Sequence, residues 1–232
     1  MKQKLSVTII GAGGVTSYLL PALKRSFDLS VVLIDGDILE NKNLDRQLFR
    51  NNDIGKFKAE ALLRTNLFRK SEATAVCTYF DEDLLDTEYR LFFGKSCDLI
   101  ICAADNHPAR RAAIFAANEM KKPLIIAANE YSTSQAYFYD VSMTIDFPNI
   151  NPYNRYPEIE TSEAGSPIRC QGEALESTPQ LAIANQVAAS FANFLTWCWF
   201  SEGYGNTSDV FNPIELQSTF SRWETITLND CK

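Results

Sequence analysis

The sequence predicts an α/β protein: a Rossmann-like, doubly wound, mostly parallel sheet with helices on both faces, extended by antiparallel C-terminal strands. Three observations carry that prediction. Apolar, β-branched runs of strand length alternate with segments of helical periodicity over residues 5–130, the pattern of βαβ units feeding a parallel sheet. The first run ends in the glycine turn GAGG (11–14), and an amphipathic segment follows at once. Gly11 to Thr16, Asp35 to Asp37, and Asp105 all fall at strand ends. In such sheets ligands bind outside the carboxyl ends of the strands.

Each element follows from its residues. LSVTII (5–10) suits a strand buried on both faces. A helix runs from the glycines to about Arg25, with Pro21 either kinking it or lying near its start. LSVVLID (29–35) is the second buried strand and ends in Asp35. Residues 36–57 are polar and irregular, with one helical turn. KAEALLRTNLFRK (58–70) is a helix with Ala61, Leu62, Thr65 and Phe68 on one face. ATAVCTYF (73–80) is the third strand, DEDLLDTEYRLFF (81–93) a helix and CDLIICAA (97–104) the fourth strand. HPARRAAIFAANEMKK (107–122) is a helix that tolerates Pro108 in its first turn. PLIIAANE (123–130) is the fifth strand, and QAYFYDVSM (135–143) alternates like a half-exposed sixth.

Beyond residue 143 the character changes. Residues 143–177 are rich in Pro, Asn, Ser and Glu and read as an irregular crossover within a single domain spanning 1–232. So long a loop in a compact domain is either functional or disordered. TPQLAIANQVAASFANFLTWCWF (178–200) is a long buried helix, capped by Thr178 with Pro179 at its first position. FNPIELQSTFSRWETITL closes the chain as a hairpin.

Composition narrows the function classes. A net charge of −7 argues against nucleic-acid binding. The apolar run at the N-terminus is too short for a secretion signal, and no run reaches the roughly 18 residues of a membrane span. A cytoplasmic protein with neither nucleic-acid nor membrane partners is expected. The six cysteines (77, 97, 102, 170, 198 and 231) form no C-x-x-C pair, so neither zinc nor disulfides are expected. A single histidine, His107, excludes multi-histidine metal sites.

The glycine turn is the first candidate site. Gly11, Gly13 and Gly14, between strand and helix, would let backbone amides face a phosphate at a helix N-terminus; the alternative is a tight turn with no ligand. Thr16 stands where a dinucleotide fingerprint has its third glycine. It either loosens helix–sheet packing or supplies a hydroxyl near the ligand. Asp35 has the spacing of the acid that bonds ribose hydroxyls, although a solvated turn aspartate would look the same.

The downstream blocks are more specific. GAGGVTS, DGD, NLDRQ, DIGKFK and DNHPAR occur in that order, spanning Asp35, Asp37, Asn43, Arg46, Gln47, Gly55, Lys58, Asp105 and Arg110. The series resembles the ThiF/MoeB/HesA proteins of the ubiquitin-activating superfamily over residues 5–140. The resemblance implies ATP-dependent adenylation of the C-terminal glycine of a ubiquitin-like or sulfur-carrier protein, with ATP and Mg2+ bound, by a homodimer. It further implies that Gly11, Gly13 and Gly14 cradle ATP and that Asp35 holds the ribose. Asn43, Arg46 and Lys58 would contact the phosphates, and Asp105 would bind Mg2+. Asp37, Gln47 and Arg110 would be supporting residues. Such chemistry needs positioning, a metal and cations rather than a general base, because a carboxylate is already a nucleophile. His107 therefore reads as a polar residue at a helix start.

The pattern also departs from that family. Only Lys2 and Lys4 precede the first strand, where the family places an arginine that reaches into a partner subunit. IRCQGEALESTPQLAIANQVAASFANFLTW is similar to the ThiF-like proteins of the PRTRC gene systems. In that context Cys170 is a candidate thioester cysteine, with Arg169 lowering its pKa; the alternative is an inert thiol. Cys77, Cys97, Cys102 and Cys198 read as small core residues. WCWF (197–200) packs a helix on the sheet. Two other functions stay open on the sequence alone. An NAD-dependent Rossmann oxidoreductase fits the glycine turn and Asp35. A non-catalytic nucleotide-binding subunit or scaffold of a heterodimeric activating complex fits Thr16 and the missing arginine.

Overall fold

β1 (Lys4–Ile10) is the hub of the sheet, pairing in parallel with β2 (Asp28–Ile34) on one side and β4 (Leu99–Cys102) on the other. The computed structural model describes residues 2–69, 71–85, 93, 96–129, 133–161, 181–202, 213–219 and 222–227. β3 (Ala73–Val76) extends the parallel sheet beyond β2, and β5 (Leu124–Asn129) extends it beyond β4. β6 (Thr133–Tyr139), β7 (Pro213–Thr219) and β8 (Arg222–Thr227) then add antiparallel strands. The order is β3-β2-β1-β4-β5-β6-β7-β8, and the mostly parallel sheet extended by antiparallel C-terminal strands is the architecture the sequence predicts. Strand order reverses between β1 and β4, which opens a crevice at their carboxyl ends.

The described helices are α1 (Gly14–Ser26), α2 (Lys58–Thr65), α3 (Glu82–Leu85), α4 (His107–Met120), α5 (Pro152–Arg155), α6 (Glu158–Thr161) and α7 (Ala182–Glu202). One face of the sheet packs Leu5, Val7 and Ile9 against Leu19 and Leu23 of α1, Leu62 of α2 and Leu195 of α7. The other packs Ile10, Ile100 and Ile126 against Ala112, Ala113 and Ala116 of α4. Central strands are thus buried on both faces, which is why they read as continuous apolar runs. Each fully buried Leu or Ile contributes about 1.5–3 kcal/mol.

Several elements differ from expectation. The helix predicted over 58–70 stops at Thr65, because Leu67 takes a left-handed φ of 55°. The third strand ends at Val76, where its carbonyl accepts the Asp35 N–H, so Cys77 is half-buried rather than a core residue. β6 is not half-exposed. Tyr137, Phe138 and Tyr139 are all buried, the two hydroxyls being satisfied by the Ile150 carbonyl and the Asn118 side chain. Pro21 lies inside α1. The predicted helix 81–93 is described only at α3 and Phe93, and Thr178 and Pro179 lie outside the described residues. Among the described residues, no helix is long and apolar enough to cross a membrane.

Candidate active site

The three glycines of the turn have three different tasks. Gly11 has a φ of +93°, and a Cβ there would lie 2.9 Å from the Ala103 backbone at the end of β4. Its N–H donates to the Ile34 carbonyl at the end of β2 (2.8 Å). Only glycine fits that left-handed, crowded position. Gly13 is the N-cap of α1, and no described atom lies within 4 Å of a Cβ built there. There is therefore open space beside the N-cap of α1, as an anion held by the first N–H groups of a helix would need. Gly14 is constrained by packing: its Cβ would meet the Asn185 side chain of α7 at 2.3 Å.

Thr16 is fully buried, and its hydroxyl donates to the Gly11 carbonyl at 2.6 Å. The hydroxyl braces the turn from within rather than facing a ligand, which corrects one of the two expectations for it.

Asp35 ties the end of β2 to this turn. One carboxylate oxygen accepts the Ala12 N–H at 2.6 Å and the other the Asp37 N–H at 2.7 Å. Burial pushes its carboxyl above the usual range, against the opposing pull of Lys58 and the Ala12 N–H. Asp37 behaves oppositely. Burial works to raise its pKa, but the Lys58 charge and hydrogen bond, together with the Tyr79 hydroxyl, outweigh it and hold Asp37 below the usual range. Lys58 Nζ lies 2.6 Å from Asp37 and Tyr79 Oη 2.8 Å. The Tyr79 hydroxyl is pushed up to about 12 by burial and by Asp37. Gly36 keeps room for the same ring, since a Cβ there would touch Tyr79 at 2.9 Å.

The polar stretch between Asp37 and Lys58 folds back on itself through an Ile38–Phe57 bridge. Inside it, Asn43 is buried and accepts the Glu40 N–H at 3.0 Å in a capping box, so its side-chain oxygen is turned into the loop. Arg46 donates from Nη1 to the Lys42 carbonyl at 2.7 Å and to Asp45 at 2.9 Å. Arg46 Nε and Gln47 Oε1 are buried without a partner among the described residues. Two bonds lay this segment on α1 and α7. Leu48 N–H donates to Ser17 Oγ at 3.1 Å, and Asn185 Nδ2 donates to the Arg46 carbonyl at 3.3 Å.

Asp105 follows β4 and is exposed. The cap of α4 is Asn106, which accepts the Ala109 N–H at 2.8 Å, so Asp105 is not spent on the helix. Arg110 Nε is buried without a partner among the described residues, and His107 opens α4 as a buried residue. Cys102 lies under this end, its thiol pushed up by burial. Lys2 donates to the Lys24 carbonyl of its own chain at 2.7 Å.

The structure thus links Asp35 to the turn through the Ala12 N–H, Lys58 to Asp35 through Asp37, and Arg46 to Gly14 through Asn185, while Asp105 follows β4, the strand after which the Ala103 backbone crowds Gly11. Arg169, Cys170 and Cys231 lie outside the described residues. Of WCWF, Trp199 and Phe200 pack against the core, while Trp197 is about half exposed at 48%. Tyr79 and Asn185 belong to the site although neither stands in a motif block. The sequence signal for Asn185 is an amide on the buried face of an apolar helix.

An open, mainly parallel sheet with a glycine turn at its switch point, with carboxylates and cations close by in the fold, defines a Rossmann-type α/β protein. The chain belongs to the ThiF family, whose model matches residues 2–226. It is 36% identical over 113 residues to the NEDD8-activating enzyme E1 catalytic subunit of Caenorhabditis elegans, covering 47% of this chain and 25% of that protein. It is 32% identical over 110 residues to SUMO-activating enzyme subunit 2 of Dictyostelium discoideum, covering 47% of this chain and 16% of that one. The chain spans a quarter or less of the length of these relatives. Among solved structures it is similar to E. coli MccB with ATP (TM-score 0.67, 20% identity, 97% of this chain and 63% of that one). PaaA gives a TM-score of 0.64 at 18% identity, over 96% of this chain and 62% of that one. At these identities the likeness is one of fold.

Proposed function

We propose that the chain is an adenylating enzyme that uses MgATP to activate the C-terminal carboxylate of a ubiquitin-like or sulfur-carrier protein ending in glycine. The observation that carries this reading is the open N-cap at Gly13, flanked by Asp35 and by the Lys58–Asp37 pair. Gly11 and Gly14 shape the turn, and the amides at its mouth take the phosphates. Asp35 holds the ribose; Arg46 and Lys58 balance phosphate charge, with Asn43 shaping the loop that carries Arg46. Asp105, exposed and free of cap duty, suits the single protein carboxylate that a phosphate-bound magnesium ion uses. Magnesium held there would neutralise charge on the phosphates. A carboxylate oxygen of the partner forms a bond to the α-phosphorus, the bond to the bridging oxygen breaks, and pyrophosphate leaves. No proton need be removed.

The relatives support this reading, since the two named above are activating enzymes for ubiquitin-like proteins. An NAD-dependent oxidoreductase would leave Arg46, Lys58 and Asp105 without a task. A scaffold would not need them either. In the proposed enzyme the chain acts as one domain in the cytoplasm, with Cys170 a candidate for receiving the activated carboxylate as a thioester. A second copy of the chain would cover Ile183, Phe194 and Trp197, exposed apolar residues that share one face of α7.

The test is ATP–pyrophosphate exchange with candidate carriers ending in glycine, beside separate titrations with NAD and MgATP. Exchange should be lost in Arg46→Ala and Asp105→Ala. Unchanged exchange in both variants, or tight binding of NAD rather than ATP, would overturn the assignment.

A further inference from the structure

We propose that Asn185 is a positioning residue for the nucleotide site: it sets the register of α7 against the glycine turn and fixes the Arg46 segment over it. The proposal rests on the adenylation reading for the role of Arg46.

Asn185 sits in the first turns of α7 and is 0% exposed. Its neighbours on the buried face of the helix are Ala184, Ala188 and Ala189, so packing alone asks for a small apolar residue there. The amide instead enters the space beside Gly14, where a Cβ would meet its Oδ1 at 2.3 Å and its Nδ2 at 2.4 Å. Nδ2 donates to the Arg46 carbonyl, 139 positions away in the chain, at 3.3 Å. Oδ1 is buried with no partner among the described residues. A half-satisfied buried amide costs stability, and what it provides here is a clasp on the Arg46 backbone.

That clasp has a counterpart. Ser17 Oγ, on the first turns of α1, accepts the Leu48 N–H at 3.1 Å. The two bonds bracket Arg46 to Leu48 and hold the segment against the start of α1. α7 is itself anchored at this point, because Ser134 Oγ on β6 donates to the Ala184 carbonyl at 2.9 Å. Arg46 is therefore placed by the position of α7 as well as by its own loop. Gly14 also acquires a reason beyond phosphate approach: it must lack a side chain because Asn185 occupies that volume.

The test is a double-mutant cycle on binding of a non-hydrolysable ATP analogue with magnesium, read by calorimetry well below the melting temperature. Arg46→Ala and Asn185→Ala should each weaken binding about tenfold, and the double variant should be no weaker than Arg46→Ala, because the two share one interaction. A purely structural Asn185 would lower the melting temperature and leave affinity unchanged. That result, or losses that multiply in the double variant, overturns the proposal. A second arm uses the packing. Gly14→Ala should lower both affinity and melting temperature, and Asn185→Gly in that background should restore the melting temperature but not the affinity, since the bond to the Arg46 carbonyl is gone. Failure of that rescue shows that Gly14 is required for another reason and also overturns the proposal. If the unmodified chain does not bind the analogue, the adenylation reading falls. The Gly14/Asn185 rescue, read by melting temperature, then still decides whether α7 and the turn are in register through this pair.

Discussion

Lys58 Nζ lies 2.6 Å from Asp37 Oδ2, and the N–H of Lys58 donates to the Asp37 carbonyl at 2.8 Å. One residue thus starts α2 and places its cation on Asp37, whose own N–H is held by Asp35, the residue that ties β2 to the glycine turn. The Lys58 side chain is only 11% exposed and Asp37 45%, so the pair is partly shielded from solvent and salt. With three donors on its nitrogen, Lys58 can meet a phosphate without leaving Asp37.

Lys58→Met should therefore weaken binding of an ATP analogue by about ten- to a hundredfold, as expected for loss of a charge-assisted contact. It should also change the acid stability profile. Asp37 is held below its ordinary 3.8 largely by Lys58. A depressed carboxylate adds stability above the unfolded value and loses it as pH falls through the folded one. The difference in melting temperature between wild type and Lys58→Met should be full at neutral pH and shrink as pH drops below 3.8. A difference that stays constant into acid would show that the pair does not stabilise the fold.

Asp35 has the opposite sign. Its carboxyl is pushed above 3.8 by burial. Such a group contributes stability below the unfolded value and loses that contribution as pH rises through the folded one. Ribose recognition by Asp35, as the proposed function has it, would use the ionised form as acceptor. Affinity for the nucleotide should thus fall on acidification while pH is still above the ordinary aspartate range. Asp35→Asn should bind more weakly at neutral pH, since an amide cannot accept from both Ala12 and Asp37, and should lose that acid dependence. Calorimetric titrations over the acid-to-neutral range would check both.

Much of this was legible in the sequence, for a physical reason. Gly11, Asp35, Asp37 and Lys58 act through neighbours a few residues away or at the next strand end, so motif spacing carries them. The parallel strands showed as uninterrupted apolar runs because both faces are covered. What was hidden depends on distant partners. Asn185 has meaning only beside Gly14 and Arg46. The hydroxyl of Thr16 has two plausible directions until the Gly11 carbonyl is placed. β6 looked half-exposed because its tyrosines carry polar tips, yet Tyr137 and Tyr139 spend those tips on buried partners.

The division of labour among the glycines is directly testable. Gly13 has a φ of −88° and open space where a Cβ would go, so Gly13→Ala should leave the melting temperature nearly unchanged. The added methyl points into the volume that the proposed function gives to phosphate, so nucleotide affinity should fall. Gly11→Ala should instead destabilise the fold, because it combines a positive φ with a backbone contact at 2.9 Å. Equal losses of stability in the two variants, measured by thermal melts, would contradict the separation.

Glu215 on β7 has a fully buried carboxylate that accepts hydrogen bonds from Arg155 Nε, the Tyr156 hydroxyl, Gln135 and Gln217. This network fastens α5 and the residue after it to the antiparallel strands that extend the sheet. A buried carboxylate is tolerable only while its cation and donors are in place. Arg155→Met should therefore cost about 3–5 kcal/mol, because it strands the charge of Glu215. Adding Glu215→Gln removes that charge while keeping an acceptor for Tyr156. The double variant should then be more stable than Arg155→Met alone, and denaturant melts of the three proteins would show it. If the two losses simply add, Arg155 and Glu215 stabilise the fold independently, and the ion pair is not what holds α5 to the sheet.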